Sequence, residues 1–467
     1  MSVVETERQR NKRIFEELPV PKAVAEMALP MIISQLIILV YNMADTFFIG
    51  RTNNPYMVAG ASLILPIFNV SIAFANIAGT GGGTLIARLL GQGRIKDARN
   101  VASFSFSFSL AAAVVFALGT ALFMHPLLGL LGASDRTFAY AKTYATCVIV
   151  CGAIPTVLSM TLGNLLRNSG KAKEAGLGVS MGGIINIILD PLFMFVVLPK
   201  GNEILGAGIA TALSNFIICT FFLMVIARMK SEILNFSTRN PVPEKEQIRS
   251  FFAVGMPAAA GPFLFDLGYI VLDRLMAGHG DTALAAIGIV LKVERFPLNI
   301  GIGLCLGMTP LAAYNFSSGN RRRMEDILKF TRKAGVIISL ISILLYEVFA
   351  PQLVHVFISD TATVEYGVQF LRIRALATVM MFLSFIYVHF FQAVGRGDRS
   401  LLLVVLRWLI VNIPMLFLLN ALFAEKGLAW AQAAGDSIVA AVSWYIYHRF
   451  RKSEEKKILM AEAANEQ

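Results

Sequence analysis

Apolar residues along this chain come in long unbroken runs rather than in alternation. Runs of about 20 residues recur from one end to the other, and a helix of that length crosses a hydrocarbon core of about 30 Å. Backbone hydrogen bonds must be satisfied inside lipid, so only helices or closed barrels can span it. Continuous runs select helices. Hydropathy predicts about twelve spans, near 28–50, 57–79, 100–123, 140–163, 176–198, 206–228, 251–277, 284–307, 332–353, 366–391, 401–421 and 427–448. The expected fold is an all-α polytopic membrane protein. Its expected divisions are a tail at 1–27, an N-lobe of six spans at 28–229, a linker at 230–250, a C-lobe of six spans at 251–449 and a second tail at 450–467.

Composition agrees. Of the 467 residues 56 % are hydrophobic and only 15 % charged, against about 25 % charged in an average soluble domain. The net charge of +11 does not indicate nucleic acid, because of where the charges lie. Both tails and the loops after even-numbered spans hold roughly 30 of the 41 Lys and Arg, and the odd-numbered loops hold about five. This is the positive-inside pattern, which predicts both termini in the cytoplasm and some affinity for anionic lipid. The polar first 27 residues show no cleavable signal, so the first span is expected to act as an uncleaved one. Cys147, Cys151, Cys219 and Cys305 all fall in spans and are expected to be reduced packing residues.

The chain repeats itself. DTFFIGRTNNPYMVAG begins at Asp45 and DRLMAGHGDTALAAIG at Asp273, with Gly50 and Gly60 matched by Gly278 and Gly288. TLIARLLGQGR (84–94) pairs with PLAAYNFSSGN (310–320), and LLRNSGKAK (165–173) with FQAVGRGDR (391–399). Asn186 falls opposite Asn412, and the offset stays between 225 and 228 residues. Six spans per copy is an even number, so both copies enter the membrane alike. The lobes should then be related by a pseudo-two-fold along the membrane normal, an arrangement suited to alternating access.

Within GGIINIILDPLFMF (182–195), Asn186 and Asp190 are four residues apart on one helix face. Asp45 lies in the first span and Thr211, Ser214 and Asn215 in the sixth. Ionisable residues inside spans are costly and mark function. Pro191 removes a donor and should bend its helix beside Asp190. The oxygens of Asp45, Asn186, Asp190 and Thr211 could hold either a proton or a sodium ion. The second copy lacks the acid after Asn412, so the lobes should do different work.

These motifs resemble the multidrug and toxin extrusion (MATE) transporters, and among them the MepA-type bacterial branch. The resemblance rests on ALPMIISQL, DTFFIG with Asp45, GGGTLIARLLG, NIILDPLF followed by GAGIATALSN, LAAYNF and VGRGD, and runs from about residue 20 to 450. It implies twelve helices in two lobes and export of cationic amphipathic drugs in exchange for protons or sodium. It also implies that Asp45, Asn186, Asp190 and Thr211 form the cation-coupling site.

Other residues are expected near a substrate cavity: Met31, Gln35, Asn42 and Met43 in the first span, Asp266 in the seventh, and Lys292, Glu294 and Arg295 in the eighth. The last group reads either as a charged wall attracting a cation or as a self-neutralising salt bridge. Arg372, Arg374 and Arg407 are expected to snorkel. GTGGGT (79–84) lacks a P-loop ending and reads as close helix packing. Neither a metal-ligand spacing nor a catalytic constellation is visible, so the expectation is a transporter, not an enzyme, without a cofactor or a metal beyond a coupling sodium. The expected setting is the inner or plasma membrane of a bacterium, as a monomer. The alternatives weighed are a lipid-linked precursor flippase or exporter of a specific metabolite on the same fold, a membrane enzyme and a non-transporting receptor.

Overall fold

The computed structural model describes residues 3–237 and 239–465; the outermost parts of both expected tails and position 238 of the expected linker lie outside the described residues. Each predicted apolar run forms a helix. Nine segments are long and apolar enough to span among the described residues: Val20–Gly50, Pro55–Gly91, Ile95–Leu122, Ala172–Val197, Glu203–Met229, Lys245–Ala277, Asp281–Ser317, Arg321–His355 and Gly397–Lys456. Two further spans are bent pairs, Asp135–Cys151 with Ala153–Asn168 at 50° and Thr361–Ala375 with Thr378–Ala393 at 48°. The last segment has 60 residues, about twice what a bilayer needs. It is interrupted by Phe423 (φ −136°) and Ala424 (φ 51°, ψ −136°), which are not helical. It is therefore two spans, which makes twelve among the described residues, in the predicted order.

Helix starts are set by local chemistry. Asn54 accepts from the Tyr56 and Met57 amides, Ser134 and Thr137 form a reciprocal capping box, and Asp360 accepts from the Thr363 amide. Outer faces stay apolar: in Arg321–His355, Leu340, Ile341, Leu344 and Val348 are all exposed, as a lipid-facing stripe requires.

Two compact units are distinguishable by packing. Unit 1 comprises Met1–Phe263, Ile302–Thr331 and Gln392–Asp398; unit 2 comprises Leu264–Gly301, Arg332–Phe391 and Arg399–Gln467. These units group helix segments by contact, whereas 28–229 and 251–449 group them by sequence repeat. Small residues explain the composition of unit 1. Gly303 and Gly307 of the eighth span lie against Ile32 and Ala28 of the first, and Gly255 of the seventh lies against Ile77. Such contacts let backbones approach closely where hydrophobicity alone drives no association. The GTGGGT stretch does the same. Gly79 faces the Asn164 side chain, Gly83 faces Asn168, and Gly81 faces the Phe251 carbonyl.

The N-terminal segment is packed rather than solvated. A helix, Val3–Lys12, leads into a π-helical turn, Arg13–Glu17, with Ile14 and Phe15 buried. Phe15 stacks on Tyr314 at 4.6 Å. Arg323 donates from Nε to the Phe15 carbonyl at 2.8 Å and from Nη2 to the Leu18 carbonyl at 2.7 Å. All of these residues belong to unit 1.

Candidate functional site

Within unit 1 the first and fifth spans run close together because glycine separates them. A Cβ added at Gly176 would stand 2.7 Å from the Pro30 carbonyl oxygen, and one at Gly183 would stand 2.7 Å from Ile37 Cγ2. Beyond these glycines the first span presents Tyr41 and, one turn later, Asp45. The fifth presents Asn186 and, one turn later, Asp190. Asp190 is fully buried and Asn186 is 3 % exposed. Both Asp190 carboxylate oxygens, one Asp45 oxygen and the Asn186 amide oxygen are buried without a hydrogen-bond partner. Asp45 and Asp190 lie within electrostatic range of one another, and both act on the hydroxyls of Tyr41 and Tyr144. The Thr211 side chain lies beside the Tyr144 hydroxyl.

The structure thus brings Asp45, Asn186, Asp190 and Thr211 to one place, with Tyr41 and Tyr144 beside them. Buried polar atoms are nearly always paired, and here four oxygens on two neighbouring spans have no partner. All donors are oxygens, which suits a proton or a hard cation. Ser214 is spent locally, donating to the Ala210 carbonyl at 2.7 Å. Tyr144 was not singled out from the sequence. It sits just before the π-helical stretch Thr146–Cys151, where the fourth span bends, and no charge marked it.

Pro191 ends the α-helical part of the fifth span, and π-helical turns run from Leu192 to Val197. The sequence leads to the expectation of a bend beside Asp190; the structure shows a change of helix type directly after the proline, within one continuous span. Wide turns of this kind interrupt the regular ladder and recur at functional sites.

Unit 2 holds a second cluster. Glu294 of the eighth span accepts from Arg374 of the tenth at 2.7 and 2.9 Å, and Arg374 also donates to Gln432. Arg407 of the eleventh span donates to Asp436 of the twelfth at 2.8 and 3.1 Å. These four ionisable side chains are buried or nearly so. Snorkelling of Arg374 and Arg407 is therefore overturned: each turns inward because a carboxylate on a neighbouring helix compensates its charge. Only Arg372 stays at the surface, beside the exposed Glu347 at 3.5 Å. Of the two readings of Glu294, the salt bridge holds, although its partner comes from the tenth span rather than from Lys292 or Arg295.

A pocket is lined by Phe265, Tyr269, Glu294, Arg295, Arg374, Arg407, Trp408 and Gln432, among others. Lys292 is exposed and Asp266 half-buried, and neither lines it. In unit 1, Met31 is buried in the hydrophobic core with Leu162 and Phe222, Gln35 is half-buried, and Asn42 is exposed. Asp436 and Gln432 went unnoticed in the sequence. The available signal was that two arginines inside spans called for acids on other spans. All four cysteines are free; Cys219 and Cys305 are buried, whereas Cys151 is exposed and is not a core residue. No three His, Cys, Asp or Glu side chains cluster as metal ligands among the described residues.

The family model described as MatE matches residues 30–192 and again 257–418. The matches start 227 residues apart, within the repeat offset read from the sequence. The chain is 31 % identical over 437 residues to the multidrug export protein MepA of Staphylococcus haemolyticus (strain JCSC1435), covering 94 % of this chain and 95 % of that one. It is 30 % identical, with the same coverage, to MepA of Staphylococcus aureus (strain N315). Among solved structures, a MATE in complex with MaL6 has a TM-score of 0.89 at 24 % identity, covering 96 % of this chain and 99 % of that one. An outward-facing multidrug resistance MATE family transporter has 0.87 at 23 %, covering 95 % and 98 %. On the two family-model matches and these full-length relatives, the chain belongs to the MatE family.

Proposed function

We propose that this protein is a secondary active multidrug exporter that expels cationic amphipathic compounds in exchange for protons or sodium ions. Export is what its named relatives do, and the long apolar helices make it a multi-pass membrane protein. The observation that carries the coupling role is the orphaned oxygen cluster, with Asp190 fully buried and neither of its carboxylate oxygens paired. A buried, uncompensated carboxylate is expensive. A cation bound there removes the expense, so loading the site changes the energy of the surrounding helices.

In this reading Asp190 and Asp45 take up the external cation, with Asn186 and Thr211 contributing neutral oxygens. Loading relieves repulsion between the two acids and alters the π-helical stretch after Pro191. That movement favours release of the drug outward. Unloading to the cytoplasm resets the site. The membrane potential supplies about 2.3 kcal/mol per charge per 100 mV. Both termini face the cytoplasm, and the protein works as a monomer without a cofactor.

The test is ethidium efflux from proteoliposomes under an imposed pH gradient or an imposed sodium gradient. Wild type should respond to one of them, naming the ion. Asp190→Asn and Asp45→Asn should each lose gradient-driven efflux while remaining folded. Unimpaired efflux by both variants would reduce the acids to structural residues.

A further inference from the structure

Two prolines decide how the N-terminal segment leaves its helix. In EELPVPKA (16–23) the residue four after Phe15 is Pro19, which has no N–H to give the Phe15 carbonyl. That carbonyl instead accepts from Asn315 Nδ2 at 3.1 Å and from Arg323 Nε at 2.8 Å. Arg323 Nη2 reaches the Leu18 carbonyl at 2.7 Å. The fully buried Phe15 ring stacks on Tyr314, whose hydroxyl donates to Glu16 at 2.5 Å. Tyr314, Asn315 and Arg323 belong to the second sequence repeat, where the eighth span gives way to the ninth. The segment's remaining contacts go to the first repeat and the linker. Glu7 pairs with Lys171 at 2.8 Å and accepts from the Ser231 hydroxyl at 2.9 Å. Arg10 donates twice to Glu174, at 2.9 and 3.2 Å, and Arg13 pairs with Glu26 at 2.9 Å. Residues 7–18 therefore tie the turn between the fourth and fifth spans to the turn between the eighth and ninth, all within unit 1.

The spans beneath this segment are joined at the same end. Gly303 and Gly307 of the second repeat lie against Ile32 and Ala28 of the first, and Gly91 of the first lies against the Tyr314 carbonyl of the second. Alternating access requires such contacts to part on the cytoplasmic side, and a segment that crosses them must let go of one repeat. Its two attachments are unlike. Release from the first repeat would strand the buried Glu7 and Lys171, which is costly, and the segment is in any case continuous with the first span. Release from the second repeat separates a ring stack and hydrogen bonds, and it leaves the half-buried Arg323 to water. We propose that residues 7–18 are a strap that holds the cytoplasmic ends of the two repeats together. It opens at Tyr314 and Arg323 and stays with the first repeat. The proposal rests on the export reading and on the orientation given there.

The test places spin labels at Lys173 and Lys329, both exposed and one on each repeat. It uses the full-length protein with its four cysteines replaced, without drug or gradient, and reads distances by double electron–electron resonance. The unsubstituted strap should give mainly a short distance. Arg323→Gln should raise the ratio of long to short about tenfold, as loss of one charged hydrogen-bonding group implies. Arg13→Gln, which touches only the first repeat, should leave the ratio as it was. An unchanged distribution in Arg323→Gln overturns the proposal. Reversible bridging tests the same point in transport. Glu16→Cys with Tyr314→Cys, joined by a bis-methanethiosulfonate, should stop ethidium efflux until a reductant removes the bridge. Arg10→Cys with Glu174→Cys, joined in the same way, should export as before. Undiminished efflux across the first bridge, or equal arrest by both, overturns the proposal. If the unbridged protein exports nothing, the export reading fails, and the distances still decide whether the strap holds the repeats together.

Discussion

Glu7 and Lys171 meet at 2.8 Å, both more than nine-tenths buried, although one belongs to the N-terminal helix and the other to the turn before the fifth span. The carboxylate is fully engaged: Ser231 donates its hydroxyl at 2.9 Å and Glu232 its amide at 3.1 Å. A neighbouring pair, Arg10 with Glu174 at 2.9 Å, repeats the link one turn on. Together they bind the N-terminal helix to the start of the span that carries Asp190.

Breaking a buried pair from one side leaves an uncompensated charge and costs about 3–5 kcal/mol, whereas replacing both partners with apolar residues is far milder. Lys171→Met should therefore lower the thermal midpoint in detergent by several degrees. Glu7→Leu with Lys171→Met should recover much of that loss. Equal losses in the single and double variants would assign the effect to packing rather than charge.

The buried pair of unit 2 should behave in the same way, and an exposed pair nearby provides the contrast. Asp436→Asn strands Arg407, which is 6 % exposed, and should cost a few kcal/mol. Arg372 and Glu347 are 46 % and 41 % exposed at 3.5 Å. Arg372→Gln should cost less than about 1 kcal/mol. Thermal unfolding of both variants in one detergent decides between them; equal effects would contradict the assignment of Arg407 as inward-facing.

The spacing of the first and fifth spans gives a third expectation. At Gly176 an added methyl would meet backbone, the Pro30 carbonyl, and backbone cannot swing aside as a side chain can. Gly176→Ala should separate the helices, lower stability by roughly 1–3 kcal/mol and reduce gradient-driven efflux, because the Asp45–Asp190 spacing depends on the same contact. Gly50→Ala is the control, with nothing within 4 Å of the new methyl. If both variants transport and melt as wild type does, close approach of these helices is not required.

The twelve spans were legible because each apolar run is long enough to cross a bilayer, and length and apolarity survive any detail of packing. The acid cluster was legible for a related reason: Asp45 and Asp190 stand out wherever charge is rare. Tyr144 did not, since a tyrosine in a span carries no charge to mark it. The sequence shows the N-terminal helix only as a polar tail, because the partners of Glu7 and Arg10 lie far along the chain. Arg374 and Arg407 were misread for a physical reason. A long cationic side chain can reach the interface or turn inward, and only the position of a compensating acid on another helix decides which.

Ala424 supplies the last expectation. It joins the eleventh and twelfth spans at φ 51° and ψ −136°, a conformation that a Cβ disfavours and glycine adopts freely. The neighbouring chain is tight, since Gly427 lies against the Leu419 carbonyl with no room for a side chain. The turn is therefore held by its surroundings against the local preference of alanine. Ala424→Gly removes the conflict and should raise stability by about 1 kcal/mol. Ala424→Val adds branching at the strained position and should lower it. The two substitutions move polarity very little, so opposite shifts of the melting midpoint report backbone conformation. A loss in Ala424→Gly would mean that the turn is not left-handed, and that the eleventh and twelfth spans are joined in some other way.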